Sequence, residues 1–186
     1  MSKTTYPITI AGVSRELPLC PLNEDLQIAA FVIFGDPELT VVSAAALLKL
    51  APTYDYIITA ESKGIPLAHE MARQNGDTKY LLARKSQKLY MRNIYSIQVD
   101  SITTTATQTL YIDGADAELI RGKRILIVDD VISTGNSLHA LEALIQSAGG
   151  TIAGRMTILA EGDATTRDDI VFLEPLPLFN YNGDPV

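Results

Sequence analysis

Residues 125–137 read ILIVDDVISTGNS, and this stretch decides the fold. Ile125 to Val128 form an apolar run that fits a short strand buried on both faces. It ends on two adjacent carboxylates, Asp129 and Asp130. After Val131 and Ile132 come small hydroxyl and glycine residues, Ser133-Thr134-Gly135-Asn136-Ser137. A stripe of Leu138, Leu141, Ile145 and Ala148 follows, which predicts a helix over 133–148, stopped by Gly149-Gly150. Strand, acidic edge, small-residue loop and helix start together make an anion cradle. Glycine lets the backbone come close, and the helix start offers unpaired N–H groups and positive potential. Ser133, Thr134 and Ser137 add hydroxyl donors. Two carboxylates beside such a cradle suit a sugar, because they accept hydrogen bonds from hydroxyls and can hold Mg2+ through water. A plain strand end with a capped helix explains one aspartate but not the pair followed by S-T-G-N-S. A P-loop would need G-x-x-x-x-G-K-[ST] and a dinucleotide site G-x-G-x-x-G; the sequence has neither.

Outward from this stretch, strands alternate with helices. DYIITA, 55–60, reads as a short buried strand, 64–75 as a helix ended by Gly76, 79–83 as a strand and 151–160 as another. Pro37 opens a helix to about Leu50, before Pro52. Asn23 is expected to cap a helix through about Phe34. Residues 1–21, with Pro7, Pro18 and Pro21, read as a short strand and an irregular arm. IYSIQVDSI and TQTLYI read as two β arms of a hairpin around Thr103–Thr105. Residues 170–182 read as strand and then irregular tail. The pattern predicts one α/β domain over 1–186, with a central, mostly parallel sheet and helices on both faces. Ligands of such sheets bind beyond the carboxyl ends of the strands. The loops of interest therefore follow Ala60, Ala83, Val128 and Ala160.

Two of those loops carry cations. Glu61-Ser62-Lys63-Gly64 opens the helix IPLAHEMARQ, a second anion site with a lysine attached. Arg84-Lys85-Ser86-Gln87-Lys88 is a basic cluster in a chain whose formal net charge is −7. That charge disfavours general nucleic-acid binding but leaves room for a locally basic pocket. His69 and His139 fall within helices and read as surface or structural residues. Cys20 is the one cysteine, so neither a disulfide nor a cysteine zinc site is expected, in keeping with the cytoplasm. No leader and no run of about 20 apolar residues is seen, so no membrane association is expected.

ILIVDDVISTGNS resembles the signature of the type I phosphoribosyltransferases. The resemblance covers about 55–175 and implies the fold of that family, with a small N-terminal hood at about 1–30 plus the C-terminal tail and a β-hairpin lid at about 85–110. It implies that Asp129 and Asp130 hold the ribose hydroxyls of phosphoribosyl pyrophosphate, and Mg2+ through water. Ser133, Thr134, Gly135, Asn136 and Ser137 would hold its 5′-phosphate. Ser62, Lys63, Arg84, Lys85 and Lys88 would face pyrophosphate. Lys85 is the catalytic candidate beside the two aspartates, because in adenine and xanthine enzymes a basic residue of an Arg-Lys stretch can reach the neighbouring subunit's pyrophosphate. A homodimer is implied. The hood around Val13-Ser14-Arg15 and the segment Leu159-Ala160-Glu161-Gly162-Asp163 resemble base-flanking segments, which gives Val13, Arg15, Ala160 and Glu161 as base-binding candidates.

The chain departs from adenine enzymes in the lid. Gln98 stands where they carry a glutamate, and Lys88-Leu89-Tyr90-Met91 replaces a Lys-Leu-Pro-Gly-like stretch. The lid is closer to xanthine phosphoribosyltransferases and to the effector domain of the purine-operon repressor. The expected function is purine phosphoribosyl transfer, adenine first, in purine salvage. The alternatives are a xanthine or guanine enzyme, a pyrimidine or orotate enzyme, and a non-catalytic sensor of phosphoribosyl pyrophosphate.

Overall fold

The computed structural model describes residues 3–100 and 107–186. Strands β4 (Tyr56–Ala60), β5 (Leu81–Ala83), β8 (Arg124–Ile132), β9 (Thr151–Glu161) and β10 (Val171–Leu176) form one sheet in the order β10-β9-β8-β4-β5, with every pairing parallel. From β8 the chain moves outward to β9 and β10, whereas from β4 it moves the other way to β5. The order reverses between β4 and β8, so their C-terminal loops open a crevice side by side.

Alternation along the strands divides the core in two. Ile57, Leu126, Val128, Met156 and Ile158 face helices α1 (Pro37–Leu48) and α2 (Ile65–Asn75). Ile58, Leu81, Ile125, Ile127 and Ala160 face α3 (Gly114–Ile120) and α4 (Asn136–Ser147). Both faces are covered, which is why Ile125 to Val128 can all be apolar and buried. The expected α/β architecture is therefore the observed one.

The hood is more regular than its prolines imply. β1 (Thr5–Ile10) and β2 (Val13–Pro21) pair antiparallel around a tight Ala11-Gly12 turn in which both residues have positive φ. β3 (Gln27–Ala29) and β11 (Leu178–Phe179) complete a four-stranded sheet. The expected helix over 23–34 is absent. Asn23 Oδ1 accepts from the N–H groups of Asp25 and Leu26, both at 2.9 Å, but the chain then turns into β3 rather than coiling.

β6 (Tyr95–Asp100) and β7 (Thr107–Ile112) pair antiparallel, as the two arms predict. They lie on the α4 side, with Leu110 and Ile112 fully buried and the Tyr95 hydroxyl bonded to Ser147 Oγ. Thr103–Thr105 lie outside the described residues. α3 was not foreseen; Asp113 caps it by accepting from the Ala115 N–H.

Candidate active site

β8 runs further than its apolar stretch. The ladder to β9 continues to Ile132, so Asp129 and Asp130 sit within the strand and not beyond it. α4 correspondingly starts at Asn136 rather than Ser133, leaving 133–135 as loop. The strand places Asp130 inward, with 2% of its surface exposed. Its N–H bonds Asp129 Oδ1 at 2.9 Å, which ties the two carboxylates together. Asp130 Oδ2 is buried and accepts no hydrogen bond from any described residue. Its counter-charge is Lys63, whose Nζ lies 3.3 Å away. Burial, then the adjacent Asp130 charge, push the Asp129 carboxyl well above the usual carboxylate range.

α2 closes onto this pair because residue 64 is glycine. A Cβ there would stand 2.3 Å from Thr59 Oγ1, 2.8 Å from Asp129 Oδ1 and 3.2 Å from Asp129 Cα. The peptide between Glu61 and Ser62 is cis. Ser62, Lys63, Lys85, Asp129, Asp130 and Ser137 share a cavity of about 240 Å3 with Glu61. Arg84 and Lys88 do not line it. Both turn to Glu61, at 2.9 and 3.7 Å. Burial alone would raise the Glu61 carboxyl, but Arg84, the Lys85 N–H and Lys88 outweigh it and hold the group below its ordinary range.

The small-residue loop makes the adjoining hollow. Asp129 and residues 131–138 enclose about 80 Å3. Gly135 starts α4 at φ +78°, with its carbonyl accepting from the His139 N–H at 2.8 Å. A side chain at 135 would also meet the Arg167 guanidinium at 3.1 Å. So Ser133, Thr134, Gly135, Asn136 and Ser137 lie together where the sequence places them.

A third hollow of about 250 Å3 shares Ser133 and Thr134 and is otherwise lined by Leu22, Glu161, Gly162, Asp163 and Leu178. Burial raises the Glu161 carboxyl, against a smaller opposing pull from Lys63. Of the base candidates, Glu161 is on this wall. Ala160 is fully buried in the core behind it. Val13 and Arg15 are elsewhere: Val13 packs on the core of the α1 side, and Arg15 pairs with Asp36 at 2.7 Å and Glu38 at 2.8 Å. The hood's contribution to the hollow is Leu22 and Leu178. Neither was legible, because each reaches the wall only through the β2-β3-β11 pairing.

The model of the phosphoribosyl transferase domain matches residues 44–180. The chain belongs to the phosphoribosyltransferase family. It is 29% identical over 170 residues to the adenine phosphoribosyltransferase of Mycobacterium avium, covering 91% of this chain and 89% of that one. It is 29% identical over 135 residues to the hypoxanthine/guanine phosphoribosyltransferase of Methanococcus voltae, covering 73% of this chain and 68% of that one. The adenine phosphoribosyltransferase structure from Thermoanaerobacter pseudethanolicus superposes with a TM-score of 0.70 at 21% identity, covering 86% of this chain and 95% of that one. That likeness is one of fold. The family and the transferase class inferred from 125–137 are thus borne out for this phosphoribosyltransferase. Among its described residues, no helix is long and apolar enough to cross a membrane.

Proposed function

We propose that this phosphoribosyltransferase moves the phosphoribosyl group of phosphoribosyl pyrophosphate onto a ring nitrogen of a purine base, adenine first. The products are a nucleoside monophosphate and pyrophosphate. The observation that carries the reading is the continuity of the three hollows. The cavity holding Asp129, Asp130, Lys63 and Lys85 shares Asp129, Val131 and Ser137 with the small-residue cradle, which shares Ser133 and Thr134 with the hollow under the hood. On this reading the first cavity takes pyrophosphate and ribose, the cradle takes the 5′-phosphate and the hollow under the hood takes the base.

Asp129 and Asp130 accept from the ribose hydroxyls and orient the anomeric carbon between base and leaving group. The base nitrogen forms the new bond to that carbon as the carbon's bond to pyrophosphate oxygen breaks; the bonding pair leaves with pyrophosphate, and the ring N–H proton passes to the departing pyrophosphate or to water. Lys63 and Lys85 face the charge that develops there. The base is the nucleophile, so no protein nucleophile is needed. A divalent cation fits the site: Asp130 Oδ2 is buried, unbonded and already faced by a cation. Among the described residues no group of three or more His, Cys, Asp or Glu could hold a metal. Mg2+ would therefore complete its shell with substrate oxygens and water, neutralising the leaving group. Glu161, beside the base hollow, can accept from an exocyclic amine, whereas Val13 and Arg15 contribute at most through the hood's backbone frame.

Adenine is favoured by reach. The matches span 84–89% of the adenine relatives but 53–68% of the hypoxanthine/guanine relatives. The substitution of Gln98 for glutamate favours a xanthine or guanine enzyme as the second reading. We also infer a cytoplasmic protein that binds neither nucleic acid nor membrane, supported by the net charge of −7 and the single cysteine, and a homodimer, which rests on the resemblance of the Arg84-Lys85 stretch.

Pyrophosphate release measured with adenine, xanthine, guanine, hypoxanthine, orotate and uracil tests the assignment. Turnover should be greatest with adenine. Binding of phosphoribosyl pyrophosphate without turnover on any base would replace the enzyme by a sensor. Asp130→Ala should weaken that binding at least tenfold while the fold persists, since a buried carboxylate facing substrate hydroxyls makes charge-assisted bonds.

A further inference from the structure

Pyrophosphate needs cations, and four basic side chains stand near the crevice. They do not behave alike. Lys63 faces Asp130. Arg84 and Lys88 face Glu61. Lys85 lines the cavity, and no described residue pairs with its side chain. One carboxylate produces most of this sorting. Glu61 follows the last residue of β4, and its N–H donates to Ala83 O at 2.8 Å, which fixes it at the foot of the basic loop. Its Oε1 accepts from Arg84 Nη1 at 2.9 Å, and Oε2 accepts from the backbone N–H of Lys85 at 3.1 Å. Lys88 Nζ stands 3.7 Å from Oε1. Arg84 is immobilised further: its backbone exchanges hydrogen bonds with Tyr111 at 2.7 and 2.8 Å, and its guanidinium lies 5.8 Å from the centre of the Tyr90 ring.

We infer that Glu61 is a positioning residue for pyrophosphate: it draws Arg84 and Lys88 aside and pins the Lys85 backbone, so that the Lys85 side chain is delivered into the cavity opposite Lys63. The inference rests on the phosphoribosyl-transfer reading, and it opposes elementary electrostatics. A carboxylate beside an anion site repels the anion, so its removal should tighten binding if charge alone mattered. The geometry gives the opposite sign. Without the Glu61 anchor the 84–88 loop loses its shared acceptor, and Lys85 must be ordered at binding, an entropic cost the native loop has already met.

The test is calorimetric titration of Mg·pyrophosphate, phosphoribosyl pyrophosphate and ribose 5-phosphate into wild type, Glu61→Gln, Lys85→Met and the double variant. Expected is a loss of about tenfold or more in pyrophosphate affinity for Glu61→Gln, the worth of one charge-assisted hydrogen bond. Ribose 5-phosphate affinity should stay unchanged, and KM for phosphoribosyl pyrophosphate should rise without a matching rise in KM for the base. The double variant should bind no worse than Lys85→Met alone, since the two act as one unit. Equal or tighter pyrophosphate binding by Glu61→Gln, or losses that add in the double variant, overturns the inference and leaves the functional reading intact. If wild type itself binds neither pyrophosphate nor phosphoribosyl pyrophosphate, the functional reading fails first. Should Glu61→Gln not fold, Glu61→Asp, whose carboxylate is drawn back by one methylene, carries the same expectations.

Discussion

Lys63 and Asp130 form an unequal pair: the lysine side chain is 47% exposed and the aspartate 3%. A buried carboxylate with one counter-charge and no hydrogen bond from a described residue on its Oδ2 is poorly compensated. A divalent ion held by Asp130 would meet this lysine at the same oxygen. On the proposed reading, ion and lysine would compete for one oxygen in the absence of substrate, and Lys63 would turn to pyrophosphate only on leaving Asp130. Lys63→Gln should raise Mn2+ affinity severalfold in substrate-free protein, read from the free-ion signal in paramagnetic resonance, while lowering affinity for pyrophosphate. Unchanged or weaker Mn2+ binding would show that Lys63 does not guard the oxygen. The sequence shows a lysine after a strand and two aspartates after another. It does not show that the strands are neighbours, and the pairing depends on that.

Adjacency of β4 and β8 also explains why α2 tolerates so little at its start. Gly64→Ala would drive a methyl into Thr59 and the Asp129 backbone, and overpacking of this kind costs about 1–3 kcal/mol. Thermal unfolding should show that loss, and substrate affinity should fall with it because Asp129 must move. Normal stability with full affinity would mean the crevice is looser than it looks. Along the same helix, the hydrogen bond from Arg73, aided by Gln74 and opposed by burial, pushes the Glu70 carboxyl down to about 2. A carboxylate depressed in the folded state stabilises fully above its unfolded value, 4.5, and the contribution fades as pH falls towards 2. Glu70→Gln should flatten the fall of melting temperature across that window; an unaltered acid limb would remove the pair from the stability account. Elements were legible where their cause is local. The β8 strand, its acids, the 133–137 loop and the α4 stripe are contiguous, so one stretch carried both the fold and half of the site. The hood was misread because Asn23 makes the same side-chain bonds in a turn as at a helix cap, and only pairing with β2 and β11 decides between them. α3 was missed because its seven residues bury only Ala117 and Ile120, too few to form a stripe.

At the scale of the whole molecule, the apolar surface is unevenly spread. Val32, Phe34 and Val41 are 56%, 48% and 43% exposed, and Phe34 and Val41 wall a groove of about 540 Å3 that runs between α1 and α2 to Ser62. On the other side Ile65 and Pro66 open α2 directly after the Ser62-Lys63 loop. An apolar groove of this size beside the Ser62-Lys63 loop is a liability for a chain acting alone and an asset for one that pairs. A two-fold contact there would set the Ser62-Lys63 loops of two copies near each other, so the inferred homodimer and the anion site would share a wall. Val41→Glu places a charge on the exposed side of α1, on a residue that lines none of the three hollows of the candidate site. Sedimentation should then shift from dimer towards monomer, with melting of the isolated chain little changed because the side chain is not part of the core. Turnover should fall with the dimer and recover at high protein concentration. A wild type that sediments as a monomer at concentrations where it is fully active would end the dimer reading, and the groove would then need another occupant.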